Sequence, residues 1–400
     1  MMRANMSFGV ARNARDPLAT TAVVAIPARN EADLIRGCML ALARQTRLPD
    51  AVLLLLNNCG DLTETIAHRL SASLPFELHI VRHVFAPTDA HAGSARRLAM
   101  WLAAEVGGPD GVLLTTDADT VVAEDWVERN LLALAAGADV VCGRVEIDPI
   151  DAARIPAQLH ADDARECELT ELLDRIAFVL DPDPADPWPR HTEAAGASIG
   201  VTVAAFMRSG GVPSIAAGED RAFVNLLARM DARVRHDPTI RVTASGRVIG
   251  RAAGGMADTI RRRMHQQDEF ADDRLEPAVD AYRRADFRRR VRMAWQDPHI
   301  AHMTRMGLAA DLGIPREVLL CMLGDSYFGA AWAEIEANSP LLPRRRVRFA
   351  DLPGQIAYAR ELLMQHNVWN AARLRLGFLL DPAQNDQTRG WPRDAADMSD

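Results

Sequence analysis

The sequence predicts an α/β fold, with a doubly wound, mostly parallel sheet followed by a helical C-terminal region. Short apolar runs of strand length alternate with amphipathic runs of helix length up to Ile147, which is the pattern of βαβ units. Beyond Gly255 the sequence becomes rich in arginine and keeps only helical spacing. The two parts therefore differ in architecture as well as in composition.

The strands of the α/β part are predicted from apolar runs that are followed by polar turns. These runs cover residues 21–27, 51–56, 78–83, 111–116 and 140–147. Amphipathic segments between the runs predict helices over residues 31–46, 62–73, 93–106 and 123–136. Asn30 is the expected N-cap of the first helix, because its side-chain oxygen can accept from a free N–H of the first turn.

The second half of the chain is predicted to be mainly helical. Helices are expected over residues 161–179, 219–230, 256–292, 315–337 and 353–380, with a short strand over residues 239–244. The proline-rich stretch 181–187 cannot continue the first of these helices.

Composition excludes several classes of protein. The net charge of −8 argues against a nucleic-acid-binding protein, which would present a basic face. No apolar run approaches the roughly 20 residues of a membrane span, and residues 1–20 lack the apolar core of a signal peptide. We therefore expect a cytoplasmic protein with no integral membrane segment. The five cysteines are scattered and form neither a disulfide nor a zinc pattern.

All 46 basic residues are arginine, because the sequence contains no lysine. Schiff-base chemistry and phosphate handling by a P-loop or kinase lysine are therefore excluded. Phosphate charge must instead be met by arginine, by metal ions or by backbone N–H groups.

The most informative motif is Asp117-Ala118-Asp119, which directly follows the apolar run 111–116. Ligands of open α/β sheets bind at the carboxyl ends of the strands. Mg²⁺ is usually held by one or two carboxylates together with substrate phosphates. The motif therefore indicates a site for a divalent cation and a diphosphate.

Four polar segments in all fall at the ends of successive predicted strands. They cover residues 27–31, 57–61, 92–97 and 117–119. In order and spacing they resemble the family 2 glycosyltransferases, nucleotide-diphospho-sugar transferases of the GT-A type. The resemblance runs from about Thr21 to Arg144, and further similarity extends to about Gly255. One departure concerns the nucleotide base, because Asn57 and Asn58 stand where the family has a leading carboxylate.

The resemblance implies a donor site built from all four segments and from residues further along the chain. The donor-binding residues it implies are Pro27, Arg29, Glu31, Asn58, Asp61, Gly93, Arg96, Arg97, Asp117, Gly196, Ser198, Arg247 and Arg251. Among these, Glu31 would lie near the ribose or base, and Arg96 or Arg97 would meet the diphosphate. Asp119 would bind Mn²⁺ or Mg²⁺ directly, with Asp117 nearer the ribose or bound waters.

The pair Glu219-Asp220 is the implied catalytic pair. The family places its catalytic base on such an acidic pair, and we expect Asp220 to deprotonate the acceptor hydroxyl. The alternative is an acidic first turn that favours the helix dipole.

For other predicted site residues, too, a purely structural role is an alternative to the functional one. Glu31 can serve the dipole of its helix, and Asp61 can cap the helix that follows it. Residues 196–198 form either a wall under the donor sugar or a tight contact between helix and sheet. Arg247 and Arg251 either reach an anionic group or are surface charges.

The resulting prediction is a metal-dependent, bacterial-type glycosyltransferase of hexosyltransferase type that uses a nucleotide-diphosphate sugar and inverts the anomeric centre. The acceptor is unidentified, with a small or anionic molecule as one option, and the oligomeric state is open. One alternative is a non-catalytic module that binds nucleotide sugars. A sugar nucleotidyltransferase is the other, but this class needs a glycine-rich loop with a lysine.

The domain organisation follows from the same patterns. We expect a flexible leader over residues 1–20, a nucleotide-sugar-binding and catalytic domain over 21–255, a helical region over 256–380 and a flexible tail over 381–400.

Overall fold

The structure, a computed structural model, describes residues 16–247, 250, 255–266, 268–297 and 302–375. Within these residues it confirms the α/β fold with a mostly parallel sheet and a helical C-terminal region. The predicted tail, and the predicted leader up to residue 15, lie outside the described residues.

One eight-stranded sheet forms the core of the α/β part. Its strands in chain order are β1 (Ala22–Ala28), β2 (Ala51–Asn57), β3 (Glu77–His83), β4 (Val112–Thr115), β5 (Thr120–Val122), β6 (Val140–Ile147), β7 (Ile199–Thr202) and β8 (Val234–Ala244). Their order across the sheet is β3-β2-β1-β4-β7-β6-β8-β5. The pairs β3–β2, β2–β1, β1–β4 and β6–β8 are parallel, and the other three pairs are antiparallel.

The described residues also form α-helices of very different lengths. They are α1 (Ile35–Leu42), α2 (Thr63–Ser71), α3 (Ala92–Gly107), α4 (Trp126–Ala135), α5 (Pro149–Ala152), α6 (Ala157–Leu180), α7 (Val203–Ser209), α8 (Glu219–Arg229), α9 (Met256–His265), α10 (Ala278–Gln296), α11 (His302–Leu312), α12 (Arg316–Met322), α13 (Phe328–Asn338) and α14 (Leu352–Arg375). No helix among the described residues is long and apolar enough to cross a membrane.

The central strands are apolar on both faces because helices cover both sides of the sheet. Val24 of β1 packs into one core cluster with residues of α1 and α4. Its neighbour Val23 packs into the other cluster with residues of α3, α7 and α8. This alternation follows from the two-residue period of a strand, and burial on both faces explains why β2 reads as an unbroken apolar run.

Strand register brings the predicted site segments together. Ala25 of β1 lies beside Thr115, the last residue of β4, in a parallel pair. The segments that follow β1 and β4 therefore leave the sheet side by side at its carboxyl edge. On the other side of the site, Thr120 pairs with Ala244, so the chain beyond β8 also returns to this edge.

Several predicted boundaries are wrong, each for a local reason. The first helix begins at Ile35 rather than residue 31, and Leu34 is its N-cap. Asn30 adopts a positive φ of 56°, and its side chain accepts from the Gly60 N–H across the loop, 2.8 Å away. The predicted helices 256–292 and 315–337 are each divided into two. β5 and β7 were not predicted, because three and four residues carry too little periodicity.

The C-terminal helices pack against the α/β part at α6 and α8. Asp231, with a φ of 52°, follows α8 and accepts from the backbone N–H groups of Phe328 and Gly329, both at 2.7 Å. A Cβ atom at Gly329 would lie 2.1 Å from the Ala228 carbonyl oxygen, so this close approach requires glycine. The end of α8 is thereby joined to the start of α13.

Candidate active site

The guanidinium of Arg96 lies in the interior beneath the carboxyl edge of the sheet, and its residue is only 4% exposed. Its Nη1 atom donates to Thr115 Oγ1 at 2.8 Å and to the Gly196 carbonyl at 2.9 Å. Nη2 donates to Asp117 Oδ1 at 2.7 Å, and Nε donates to Glu219 Oε1 at 3.1 Å. Arg96 therefore connects the metal-binding motif predicted after β4 with the acidic pair predicted on α8.

The charge of Arg96 is stabilised by these partners. Burial lowers the pKa of the guanidinium, but the carboxylates of Asp117 and Glu219 outweigh burial and raise the pKa above its usual range. Because the side chain is buried and directed at protein groups, it presents little surface to a diphosphate. The neighbouring Arg97 donates to the Val212 carbonyl at 2.6 Å, so both arginines make contacts within the protein.

A second arginine, Arg247, lies at the same edge and binds two carboxylates. Its Nη1 and Nη2 atoms donate to the two oxygens of Glu31 at 2.7 and 2.6 Å. Nη2 also lies 2.9 Å from Asp119 Oδ2. The hydrogen bonds to Glu31 are the main cause that raises the pKa of Arg247. The structure therefore places Glu31, Asp119 and Arg247 in one ionic cluster, whereas Arg251 lies outside the described residues.

The contact with Arg247 offsets the negative charge of Asp119 only in part. Burial and the neighbouring charge of Asp117 raise its pKa to about 7. Arg247 opposes that shift, and the charge of Glu31 adds to it. Negative charge at this position is therefore in excess of the cationic groups that face it.

The donor set at the edge fits a divalent cation. Four carboxylates, those of Glu31, Asp117, Asp119 and Glu219, share two guanidinium groups, so negative charge exceeds positive charge even with Asp119 partly protonated. Carboxylate oxygens are the ligands that Mg²⁺ and Mn²⁺ prefer. Within the described part of the chain, no group of three His, Cys, Asp or Glu side chains is arranged to hold an ion. Asp117 and Asp119 would therefore supply two ligands, and phosphate or water would supply the rest.

The two carboxylates of the acidic pair have different surroundings. Glu219 is the first residue of α8 and is 5% exposed, with its side chain on Arg96. Asp220 is only partly buried. Its Oδ2 atom accepts from the Gly196 N–H at 2.8 Å, and Oδ1 accepts from the Arg221 N–H at 2.7 Å. These two backbone bonds orient the Asp220 carboxylate without neutralising it.

Gly93 and Gly196 are positions where the chain needs glycine for packing. A Cβ atom at Gly93 would lie 2.1 Å from the Ile215 carbonyl oxygen, and one at Gly196 would lie 2.4 Å from the Arg96 guanidinium. Ser198 is fully buried, and its Oγ atom accepts from the indole N–H of Trp126 at 2.9 Å. The contact between helix and sheet, given above as the alternative for residues 196–198, matches this geometry.

Among the predicted donor-binding residues, Asp61 holds two loops together. Its oxygens accept from the N–H and hydroxyl of Thr63 and from the Ala32 N–H. Burial raises the pKa of this carboxyl, but the hydrogen bonds from Thr63 and Ala32 outweigh burial and lower it. The hydroxyl of Thr63 also accepts from the Glu31 N–H at 2.8 Å. Thr63 was not among the predicted site residues, although it lies at the start of a helix predicted from the sequence.

Two other predicted donor-binding residues near Glu31 also form hydrogen bonds with the backbone. Arg29 donates to the Ala90 carbonyl at 2.7 Å. The amide of Asn58, at a φ of 49°, both donates to and accepts from the backbone of Phe85 at 3.0 Å. Pro27 lies within β1, one residue before its end. These residues shape the loops around Glu31, and their predicted donor contacts stay predictions.

Ligands of open α/β sheets bind at the carboxyl ends of the strands, and in this sheet that edge carries carboxylates and arginines. Residues 23–183, about two fifths of the chain, match the profile of the family described as Glycosyl transferase family 2. The protein is a glycosyltransferase. The matched range includes Glu31, Asp117 and Asp119 but ends before Asp220 and Arg247. A search of curated proteins gave no match.

Three solved structures illustrate what this fold is similar to. S. aureus TarS 1–349 in complex with UDP is 15% identical, with a TM-score of 0.41 over 67% of this chain and 82% of TarS. The same protein in complex with UDP-GlcNAc is 13% identical, with a TM-score of 0.42 over 89% and 92% of the two chains. The mannosyltransferase PcManGT from Pyrobaculum calidifontis, in complex with GDP-Man and Mn²⁺, is 16% identical, with a TM-score of 0.40 over 89% and 84%.

Proposed function

We propose that the protein is a metal-dependent glycosyltransferase that moves a sugar from a nucleotide-diphosphate donor to an acceptor hydroxyl with inversion. One observation carries this proposal. At the carboxyl edge of the sheet, four carboxylates share two arginines, so negative charge exceeds positive charge there. A divalent cation would offset this excess and could at the same time coordinate the diphosphate of a donor.

Donor binding is assigned to the segments that follow β1, β2 and β4. Glu31 lies where the nucleotide would meet the end of β1, and its carboxylate can accept from ribose hydroxyls or a base N–H. Asp117 and Asp119 would hold the cation, which when bound would stabilise the charge of the leaving nucleoside diphosphate as a Lewis acid. In a chain without lysine, such help with the diphosphate charge matters more than usual.

Proton transfer is assigned to Asp220. An inverting transfer needs one carboxylate that deprotonates the acceptor hydroxyl while its oxygen attacks the anomeric carbon from the face opposite the leaving group. Asp220 is accessible and is held by two backbone N–H groups, whereas Glu219 is buried against Arg96. Of the adjacent pair, the geometry therefore favours Asp220 as the base.

We also propose that residues 21–255 form the nucleotide-sugar-binding and catalytic domain. The ion pair of Glu31 with Arg247 supports this division, because it joins a residue near the start of that range to one near its end.

Donor hydrolysis and transfer measured with UDP- and GDP-sugars in the presence of Mn²⁺ test the function. The Asp119→Ala variant is expected to lose at least about 100-fold in rate, and chelation of the metal should have a similar effect. Asp110→Ala is the matched control, because Asp110 is exposed in the loop that enters the opposite end of β4.

Two results would contradict the proposal. Undiminished activity in metal-free buffer and in the Asp119→Ala variant would remove the metal role. Binding of nucleotide sugars with neither hydrolysis nor transfer would instead support a non-catalytic binding module.

A further inference from the structure

Arg247 contacts the very carboxylates that the proposed function assigns to the donor and the metal. It occupies both oxygens of Glu31 and one oxygen of Asp119. The residue follows the end of β8, which pairs with β5 just beyond Asp119, so its place at the edge is set by the sheet. A guanidinium therefore lies where the proposed function requires positive charge.

We propose that Arg247 is the internal counter-ion of this site and competes with a divalent cation for Asp119. This inference rests on the proposed function, because it takes Asp119 as a metal ligand. When a cation binds Asp119, the Nη2 atom of Arg247 leaves Oδ2. When a nucleotide binds Glu31, both guanidinium nitrogens leave that carboxylate and become available to the diphosphate.

The contacts of Arg247 indicate that it competes with the cation for Asp119 and does not help the cation to bind. The Nη2 atom of Arg247 lies 2.9 Å from one oxygen of Asp119, and a metal ion bound to the same carboxylate would be close enough to the guanidinium for the two cations to repel each other. A planar guanidinium held by the two oxygens of Glu31 is also a preorganised competitor, because its geometry matches a carboxylate. Metal affinity of the nucleotide-free protein should therefore be lower than the four carboxylates alone would give.

Binding of Mn²⁺ to the nucleotide-free protein, measured by electron paramagnetic resonance of the free ion or by calorimetry, tests the competition. Removal of the guanidinium in Arg247→Ala is expected to tighten Mn²⁺ binding about tenfold, which corresponds to about 1.4 kcal/mol. Arg247→Lys keeps the charge but cannot bridge two carboxylates in the same way, and an intermediate gain is expected. Thermal unfolding verifies that each variant is folded.

Arg241→Ala is the matched control for loss of one positive charge. Arg241 lies on β8 and pairs with Glu146 in an exposed ion pair of 3.1 Å. Its removal changes the net charge of the protein by the same amount as Arg247→Ala. Because exposed charges are screened by solvent and salt, Mn²⁺ affinity should change less than twofold.

The outcomes separate this inference from the proposed function. If Arg247→Ala binds Mn²⁺ no more tightly than the wild type while Asp119→Ala loses binding, the competition is wrong and the metal site stands. An equal gain in Arg241→Ala would also overturn the competition, because it would show an effect of net charge alone. If Asp119→Ala binds Mn²⁺ as the wild type does, the metal assignment itself fails, and the competition fails with it.

Discussion

Arg96 and Asp117 form an ion pair of 2.7 Å between Nη2 and Oδ1, and the same guanidinium donates to Glu219 on a different element of the fold. One buried cation therefore sets the spacing between the carboxylates after β4 and the acidic start of α8.

Arg96→Ala should destabilise the protein by about 3–5 kcal/mol, because it leaves partner carboxylates without their buried counter-ion. Arg97→Ala is the matched control, since that side chain donates a single bond to a carbonyl and its loss should cost about 1 kcal/mol. Urea unfolding of both variants gives the comparison. Equal losses of stability would contradict the central role of Arg96.

The second prediction separates the two members of the acidic pair. Asp220→Asn should lower kcat by about 100-fold or more, because the amide cannot take a proton. Its cost in stability should be about 1 kcal/mol, because the amide nitrogen cannot accept one of the two backbone hydrogen bonds. Glu219→Gln should act mainly on stability, because it removes the charge that faces the buried Arg96. Steady-state kinetics and urea unfolding of both variants test this. A larger fall in kcat for Glu219→Gln than for Asp220→Asn would reverse the assignment of the base.

Substitution of Gly196 is the third prediction. A Cβ atom there would lie 2.4 Å from the guanidinium of Arg96, so Gly196→Ala should cost about 1–3 kcal/mol through overpacking. Gly37→Ala is the control, because Gly37 lies in α1 with nothing within 4 Å of the added carbon. That change should stabilise the helix by about 0.5–1 kcal/mol. Thermal unfolding should show shifts of opposite sign, and shifts of the same sign would contradict the packing argument.

His191 gives the fourth prediction, which concerns the dependence of stability on pH. Burial, followed by the charge of the neighbouring His236, lowers the pKa of His191 to about 4. The charge of Arg144 lowers it further, and a hydrogen bond with the Asp237 backbone and the charge of Asp186 act in the opposite direction. Its Nε2 atom is buried without a hydrogen-bond partner in the described residues. The native state therefore holds His191 neutral in a pH range where the unfolded chain would protonate it.

The sign follows from which state binds the proton. Above pH 6.5 neither state binds one at this position, and between pH 6.5 and 4 only the unfolded state does. The free energy of unfolding should therefore fall with decreasing pH in that window, by about 3 kcal/mol in total. Urea unfolding from pH 7 to pH 4 should show a flatter profile for His191→Asn. Parallel profiles for the two proteins would contradict the prediction.

Local patterns predicted the framework of the site but not its pairings. The place of Asp117 and Asp119 followed from an apolar run that ends just before them, because strand ends meet at one edge of a parallel sheet. The ion pair of Glu31 with Arg247 joins residues 216 positions apart, and no local pattern carries information about such a partner. Whether an arginine faces a phosphate or a buried carboxylate likewise depends on the tertiary fold.

Two small elements show the same limit. β7 is four residues long and lies antiparallel between β4 and β6, and it carries no alternation by which it could be recognised. For Ser198 the sequence left two roles open, a wall under the donor sugar or a tight contact between helix and sheet. Its hydroxyl accepts from the indole N–H of Trp126, a residue at the start of α4 that no local pattern pairs with it.

The cap that Asp231 forms on α13 has a mechanical consequence. α8 is 11 residues long, about 16 Å at the usual helical rise, with Asp220 near one end and the joint to α13 just beyond the other. A helix transmits displacement along its axis with little bending over such a distance. A displacement of the C-terminal helices would therefore be transmitted to the carboxylate of Asp220 through α8.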